Sequence, residues 1–320
     1  MREYDMIRIL AQGFTRSGDQ ANGLFTCDAE LVSIGGQTWA MTMDEFSPEE
    51  DVFLGDDPVR LGRNLAVGTL ADLYAAGARP QFYMHSIALP PVGAELFGNG
   101  LVEGVRQVLE EAGCFLCGGD LATAETWRYC GVGLGPVGRR AVTRILPVEP
   151  QALWVTGTLG DANIAAVRRV ETPLFELRAV EADFIRDNAT GCIDTSGGFM
   201  DGIWLLSELN PGLRFFIDLA AIPYAPEVLA VASTMGIPPE AALIGGAGEY
   251  ELLFALPSSA ASLDIDAVKV GEAVPGDAGL VFLRDGQEVP VSSMPPCPRS
   301  FVDREQYIRK VLEAAGALHG

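Results

Sequence analysis

Histidine is nearly absent from this 320-residue chain, His85 and His319 being the two it has. Six cysteines stand at 27, 114, 117, 130, 192 and 297, and Cys114-Phe115-Leu116-Cys117 has the spacing of a metal knuckle. No second pair follows at zinc distance, so this run reads as part of a buried strand. Positive charge is scarce as well: 22 Lys and Arg stand against 43 Asp and Glu, for a net charge of −21. Such a chain repels polyanions, which argues against nucleic acid as a partner. Any phosphate ligand then needs local neutralisation, by metal ions or by the few arginines. No apolar run approaches the ~20 residues that span a bilayer, and the stretch after Met1-Arg2-Glu3-Tyr4-Asp5 is too short for a secretory signal. The expectation is a cytoplasmic protein with no membrane partner. A Walker sequence, a dinucleotide fingerprint and a kinase catalytic loop are all missing.

What is present is an alternation of strands and helices in two halves, the α+β pattern. The expected division is 1–138 and 150–320, across a link at Arg139–Pro150 that carries Pro147 and Pro150. In the first half, Leu31–Ile34 and Thr38–Met43 form a hairpin around Gly35-Gly36, Gln81–Leu89 a strand, Glu95–Ala112 a helix and Tyr129–Val137 a strand. The second half opens on the apolar strand at Ala152. It continues with helices over Glu176–Asn188, from Phe199, and over Pro226–Met235, with strands Leu213–Asp218 and Glu251–Leu256, and closes on helix Glu305–Ala317. Between the hairpin and Pro80 lies a helix of about five turns, started by Asp57-Pro58 and stopped by Gly77. Its apolar arc of Leu61, Leu65, Ala66, Leu70, Leu73 and Ala76 contains Asp72 at one edge. A carboxylate there is costly unless compensated. Two readings stand: Asp72 joins Asp44 and Thr42 around a hard cation, or it caps a neighbouring loop.

Four stretches repeat one format, an apolar strand running through small residues to an acid: Thr42-Met43-Asp44, Gly118-Gly119-Asp120, Gly157-Thr158-Leu159-Gly160-Asp161 and Ile193-Asp194-Thr195-Ser196-Gly197-Gly198. Glycine lets backbone N–H groups approach a phosphate, and a following helix N-terminus adds a favourable dipole. Acids beside such turns bind magnesium, which bridges phosphate oxygens. Asp161 reads as an N-cap.

The order of these stretches, with Thr69–Pro80 and Glu249-Tyr250-Glu251-Leu252-Leu253-Phe254, resembles the aminoimidazole-ribonucleotide-synthetase-related superfamily, and within it the thiamine-monophosphate kinase branch. The resemblance spans roughly residues 15–290 and implies a two-domain α+β fold, a dimerising N-terminal sheet domain followed by a C-terminal α/β domain. It implies ATP and Mg2+ in a cleft near a homodimer interface, with a small-molecule acceptor as the other partner. Carried across, it makes Asp19, Asp44, Asp72 and Asp120 magnesium ligands supported by Thr42. Gly118, Gly119, Asp120 and Arg144 then contact the nucleotide, and Asp194 with Ser196 stands at the phosphates as the catalytic pair. The departures are Gln20 and Gly197, where the kinase pattern has acids, and Glu249 for its aspartate; the Glu-Gly-Val-His pattern after Asp44 is also absent. Two other branches, selenophosphate synthetase and the hydrogenase-maturation dehydratase, rely on a reactive cysteine that the Ser17–Gly23 loop and the end at Leu318-His319-Gly320 do not supply. The activity implied is an ATP- and magnesium-dependent phosphotransferase. The alternative is a catalytically silent, nucleotide-binding homologue.

Overall fold

The computed structural model describes residues 3–49, 51, 53–259 and 263–319. Helix α1 (Glu3–Ala11) precedes a sheet of five strands in the order β1-β2-β5-β3-β4. These are β1 (Glu30–Ile34), β2 (Gln37–Phe46), β3 (Phe82–Leu89), β4 (Phe115–Thr123) and β5 (Arg128–Pro136). Gly35 and Gly36 turn the β1–β2 hairpin with φ of 61° and 83°, the left-handed pair that matches the twist of the flanking strands. Strand β4 runs parallel to β3 at the edge of the sheet and is exposed along its whole length. This corrects the expectation of a buried strand: Cys114 is buried just before β4, and Cys117 on it is exposed. An apolar edge strand has the composition of a core strand, and only the missing neighbour tells them apart.

Helix α2 (Pro58–Ala75) begins where Asp57 accepts a hydrogen bond from the Val59 N–H, with Pro58 at the first position. It packs on β2 and β5 on one side and on α3 (Ala94–Ala112) on another. The two helices touch backbone to backbone. A Cβ on Gly62 would lie 1.9 Å from Leu101 O, and one on Gly104 2.0 Å from Val59 O.

The second sheet has seven strands in the order β12-β11-β8-β10-β6-β9-β7. They are β6 (Gln151–Thr156), β7 (Gly191–Asp194), β8 (Leu213–Asp218), β9 (Leu252–Pro257), β10 (Ala267–Pro275), β11 (Gly279–Arg284) and β12 (Gln287–Val291). Around it lie α4 (Asp161–Arg168), α5 (Ala179–Asn188), α6 (Phe199–Leu209), α7 (Pro226–Met235), α8 (Ala241–Ile244) and α9 (Arg304–His319). Strand β6 is buried at every position, as a central strand with both faces covered must be.

The other flank of α2 rests on β7 and α5. One hydrophobic core therefore joins Leu65, Leu70 and Leu73 of α2 to Ile185, Cys192 and Phe254 of the second half. The helix is buried almost all round, and its polar Asn64 is fully used there. The Asn64 amide donates to Pro173 O at 2.9 Å and accepts from the Phe175 N–H at 2.9 Å. The link between the sheets is not a loose tether, since Val142 is buried and its N–H donates to Ala76 O. No described helix is long and apolar enough to cross a membrane.

Candidate active site

Three carboxylates meet beside α2, drawn from both halves of the chain. One oxygen from each of Asp28, Asp72 and Asp194 lies within 4.8 Å of the others. Asp28 comes from the segment leading into β1, Asp72 from the buried length of α2, and Asp194 from the end of β7. The Thr42 hydroxyl, inward-facing on β2, donates to Asp72 Oδ2 at 2.5 Å. Ser196 Oγ donates to Asp194 Oδ1 at 2.9 Å. Arg144 grips Asp28 with both edges of its fork, Nη2 to Oδ1 at 2.7 Å and Nε to Oδ2 at 3.1 Å, and the Asp194 N–H donates to the same Oδ1 at 3.3 Å.

The electrostatics of this arrangement are severe. Three carboxylates and one guanidinium leave two negative charges uncompensated in a buried place. Burial, and then the neighbouring Asp28, push Asp194 up to about 7. Asp72 is raised well above the usual carboxylate range by burial, and then by Asp44, Asp194 and Asp28. Asp194 Oδ2 is buried and has no hydrogen-bond partner among the described residues. A divalent cation held by oxygen ligands answers both facts, supplying two positive charges and a partner for that oxygen. The donor set fits magnesium: carboxylates and a hydroxyl, with no sulfur or imidazole.

Two cavities open beside the cluster. A smaller one of about 250 Å³ is walled by Asp44, Asp72, Asp194 and Ser196, with Tyr4 of α1 and the 294–298 segment across from them. A larger one of about 680 Å³ is mainly apolar and carries the rings of Phe53, Phe175, Tyr250, Phe301 and Tyr307. Ser196 and Tyr250 line both.

Of the residues expected at the site, Thr42, Asp44, Asp72, Asp194 and Ser196 come together, and the others stand elsewhere. Asp19 lies in an exposed loop, where its carbonyl accepts from the Ser33 N–H at 2.8 Å, and Asp28 holds the place by the cluster instead. Asp28 sits in Thr26-Cys27-Asp28-Ala29 just before β1, the reverse of the strand-then-acid order of the other four stretches. Arg144 is paired with Asp28 rather than open to a phosphate. Gly118, Gly119 and Asp120 lie on the exposed edge strand β4, outside the cluster of three. Gly119 answers to strand packing, because a Cβ there would lie 2.5 Å from His85 O.

The second-half junctions are occupied by protein. Asp161 is inside α4 rather than capping it: Gly160 is the cap, at φ 97°, and the Glu249 carboxylate accepts from the N–H groups of Gly160 and Ala162 at 2.9 and 3.1 Å. Gly157 faces Arg178, whose Nη2 would be 1.9 Å from a Cβ. At Gly197 the absent carboxylate is met in space by another. A Cβ there would lie 2.8 Å from Oδ2 of Asp201, which also borders the smaller cavity and accepts from the Tyr4 hydroxyl at 3.3 Å.

Residues 27–139 match the family model described as "AIR synthase related protein, N-terminal domain". That match is confined to the first half of the chain, and the α+β fold of the whole is the AIRS-like one. Among sequence relatives, it is 25% identical over 303 residues to "Thiamine-monophosphate kinase" of Pyrococcus abyssi, an alignment spanning 90% of this chain and 93% of that protein. It is 27% identical over 256 residues to "Selenide, water dikinase" of Myxococcus xanthus, spanning 74% of this chain and 71% of that one. Among solved structures, "AaThiL complexed with AMPPCP and TMP" superposes with a TM-score of 0.76 at 20% identity, covering 92% of this chain and 97% of its own. The "HypE-HypF complex" gives 0.71 at 17% identity, covering 90% and 98%.

Proposed function

We propose that this protein is an ATP- and magnesium-dependent phosphotransferase acting on a small molecule. The observation that carries the reading is the buried carboxylate cluster with its unpartnered Asp194 Oδ2, opening past Ser196 into the large apolar cavity. Asp28, Asp72 and Asp194 would hold the cation, with Asp44 beside them, Thr42 orienting Asp72 and Arg144 fixing Asp28. Magnesium in such a place neutralises charge on phosphate oxygens and aligns them for transfer. The Ser196 hydroxyl stands between the cluster and the apolar cavity, and with its proton given to Asp194 its oxygen is placed to accept from the hydroxyl of an incoming acceptor. The mainly apolar lining of the cavity suits an acceptor with a substantial apolar body. The kinase and dikinase names of the sequence relatives, and the nucleotide analogue in one structural neighbour's title, support the class.

The division of labour we infer gives the nucleotide to the N-terminal half, along the Gly118-Gly119-Asp120 face, and the acceptor to the C-terminal half. A second copy would cover β4, whose Phe115 and Leu121 are 67% and 73% exposed at the open sheet edge. Sedimentation showing only monomer at micromolar concentration would remove the homodimer. The rival reading, a catalytically silent nucleotide binder, rests on Gln20, whose amide is spent on Glu30 at 3.1 Å, and on Gly197. Calorimetric binding of magnesium with a non-hydrolysable ATP analogue, run beside a phosphate-release assay, separates the two: binding with no turnover on any acceptor favours the silent homologue, and no binding defeats both.

A further inference from the structure

The carboxylate cluster draws on both halves of the chain, Asp28 and Asp72 from the first and Asp194 from the second. Its geometry therefore depends on how α2 is seated against the loops of the second half. One turn before Asp72, on the same side of α2, stands Gly68. A Cβ built there would fall 3.0 Å from Tyr250 Cε1, 3.1 Å from Tyr250 Cζ and 3.0 Å from Phe46 Cζ. The Tyr250 ring thus occupies the space where a side chain of α2 would otherwise be. It packs on Phe175 as well, with centroids 5.1 Å apart, and forms part of the wall of both cavities.

The backbone that delivers this ring is unusual. Tyr250 has φ 59°, a left-handed conformation that a residue with a Cβ keeps only when its surroundings enforce it. The enforcement is visible on both sides. Glu249 is anchored on the first turn of α4. The Glu251 carboxylate takes both prongs of Arg178 at 2.6 Å and also accepts from Thr156 Oγ1 at 2.5 Å. Both carboxylates are buried in the second half. With its neighbours pinned, Tyr250 is turned out onto α2.

We propose that Tyr250 is a positioning residue for the carboxylate cluster: its ring, seated on Gly68, is the spacer that holds Asp72 at cation-binding distance from Asp194. The inference rests on the cation reading of the cluster. The ring does this work, so the phenol oxygen is dispensable for it.

Manganese is the probe, its free concentration read by electron paramagnetic resonance on the full chain. The wild type binds it, and Tyr250→Phe binds within twofold of wild type. Tyr250→Gly deletes the ring and suits the left-handed backbone, so the fold is retained while manganese affinity falls at least tenfold. Gly68→Ala pushes on the ring from the other side and also weakens binding. In the double variant the losses do not multiply, because both substitutions act on one contact. A wild type that takes up no manganese defeats the cation reading and this inference with it. A wild type that binds, together with Tyr250→Gly binding within twofold of it, overturns the spacer alone, as do losses that multiply in the double variant. Should Tyr250→Gly fail to fold, Gly68→Ala against Tyr250→Phe carries the same test: undiminished binding by Gly68→Ala overturns the spacer.

Discussion

Glu249 offers the sharpest test of the second half's internal wiring. Burial pushes its carboxyl from an ordinary 4.5 up to about 8, against the two N–H groups of α4 that favour the charged form. Between those two values the folded state holds a proton that the unfolded chain has released. Stability therefore falls as pH climbs through this window and levels off above about 8. Each unit of pH well inside the window is worth a little over 1 kcal/mol, so going from about pH 5.5 to about pH 7.5 removes on the order of 2 to 3 kcal/mol through this one group. Glu249→Gln keeps an oxygen for Gly160 and Ala162 but cannot ionise. The variant should match the wild type near pH 5.5 and be more stable by about 2 to 3 kcal/mol near pH 7.5. Urea unfolding of both proteins at the two pH values, with chelator present, measures the difference. The comparison cancels the raised carboxyls of the cluster, Asp72 and Asp194, which titrate in both proteins. Parallel stability curves would refute the reasoning, as would a variant weaker than wild type at the higher pH.

Asp194→Asn and Asp72→Asn should each lower magnesium-dependent ATP affinity at least tenfold, or ~1.4 kcal/mol, while the metal-free protein melts no earlier than wild type because a buried charge is removed. Calorimetry with paired melts checks this, and early melting with normal binding would leave the acids a purely structural role. Asp120→Asn should weaken magnesium-ATP by a similar factor if β4 carries the nucleotide, with little change in metal-free stability; unaltered affinity removes Asp120 from the site. Thiamine monophosphate should be a poor phosphoryl acceptor or none, given Gln20, Gly197 and the missing Glu-Gly-Val-His pattern, and robust formation of thiamine diphosphate, followed chromatographically, would show otherwise.

What could be read from the sequence was what is determined locally. The turn at Gly35-Gly36 and the start of α2 at Asp57-Pro58 are written in adjacent residues, and both form. Asp44, Asp72 and Asp194 stand out because a carboxylate in or beside an apolar run demands a reason. Asp28 does not, because its reasons are distant: Arg144 is 116 residues away and the Asp194 N–H 166. The cap of α4 falls on Gly160 rather than Asp161 for the same cause. The carboxylate that does the capping arrives from Glu249, 89 residues on. The exposure of β4 and the burial of α2 on nearly every side depend on which surfaces meet, and no periodicity within one segment records that. Tyr250 and Gly68 are equally silent alone, since the meaning of each is the other.

The placement of α2 bears on how the chain acquires its structure. Because the helix is wrapped by β2 and β5 on one flank and by β7 and α5 on the other, neither half can complete its own interior before the other arrives. Strand β7 follows α2 by more than a hundred positions, so the face waiting for it stays open to water until late in synthesis. Chains cut at the link should therefore expose adhesive surface and aggregate, and the intact protein should unfold in one cooperative step instead of two. Supplying the two fragments together would be the way to recover a soluble particle, each acting as the other's chaperone.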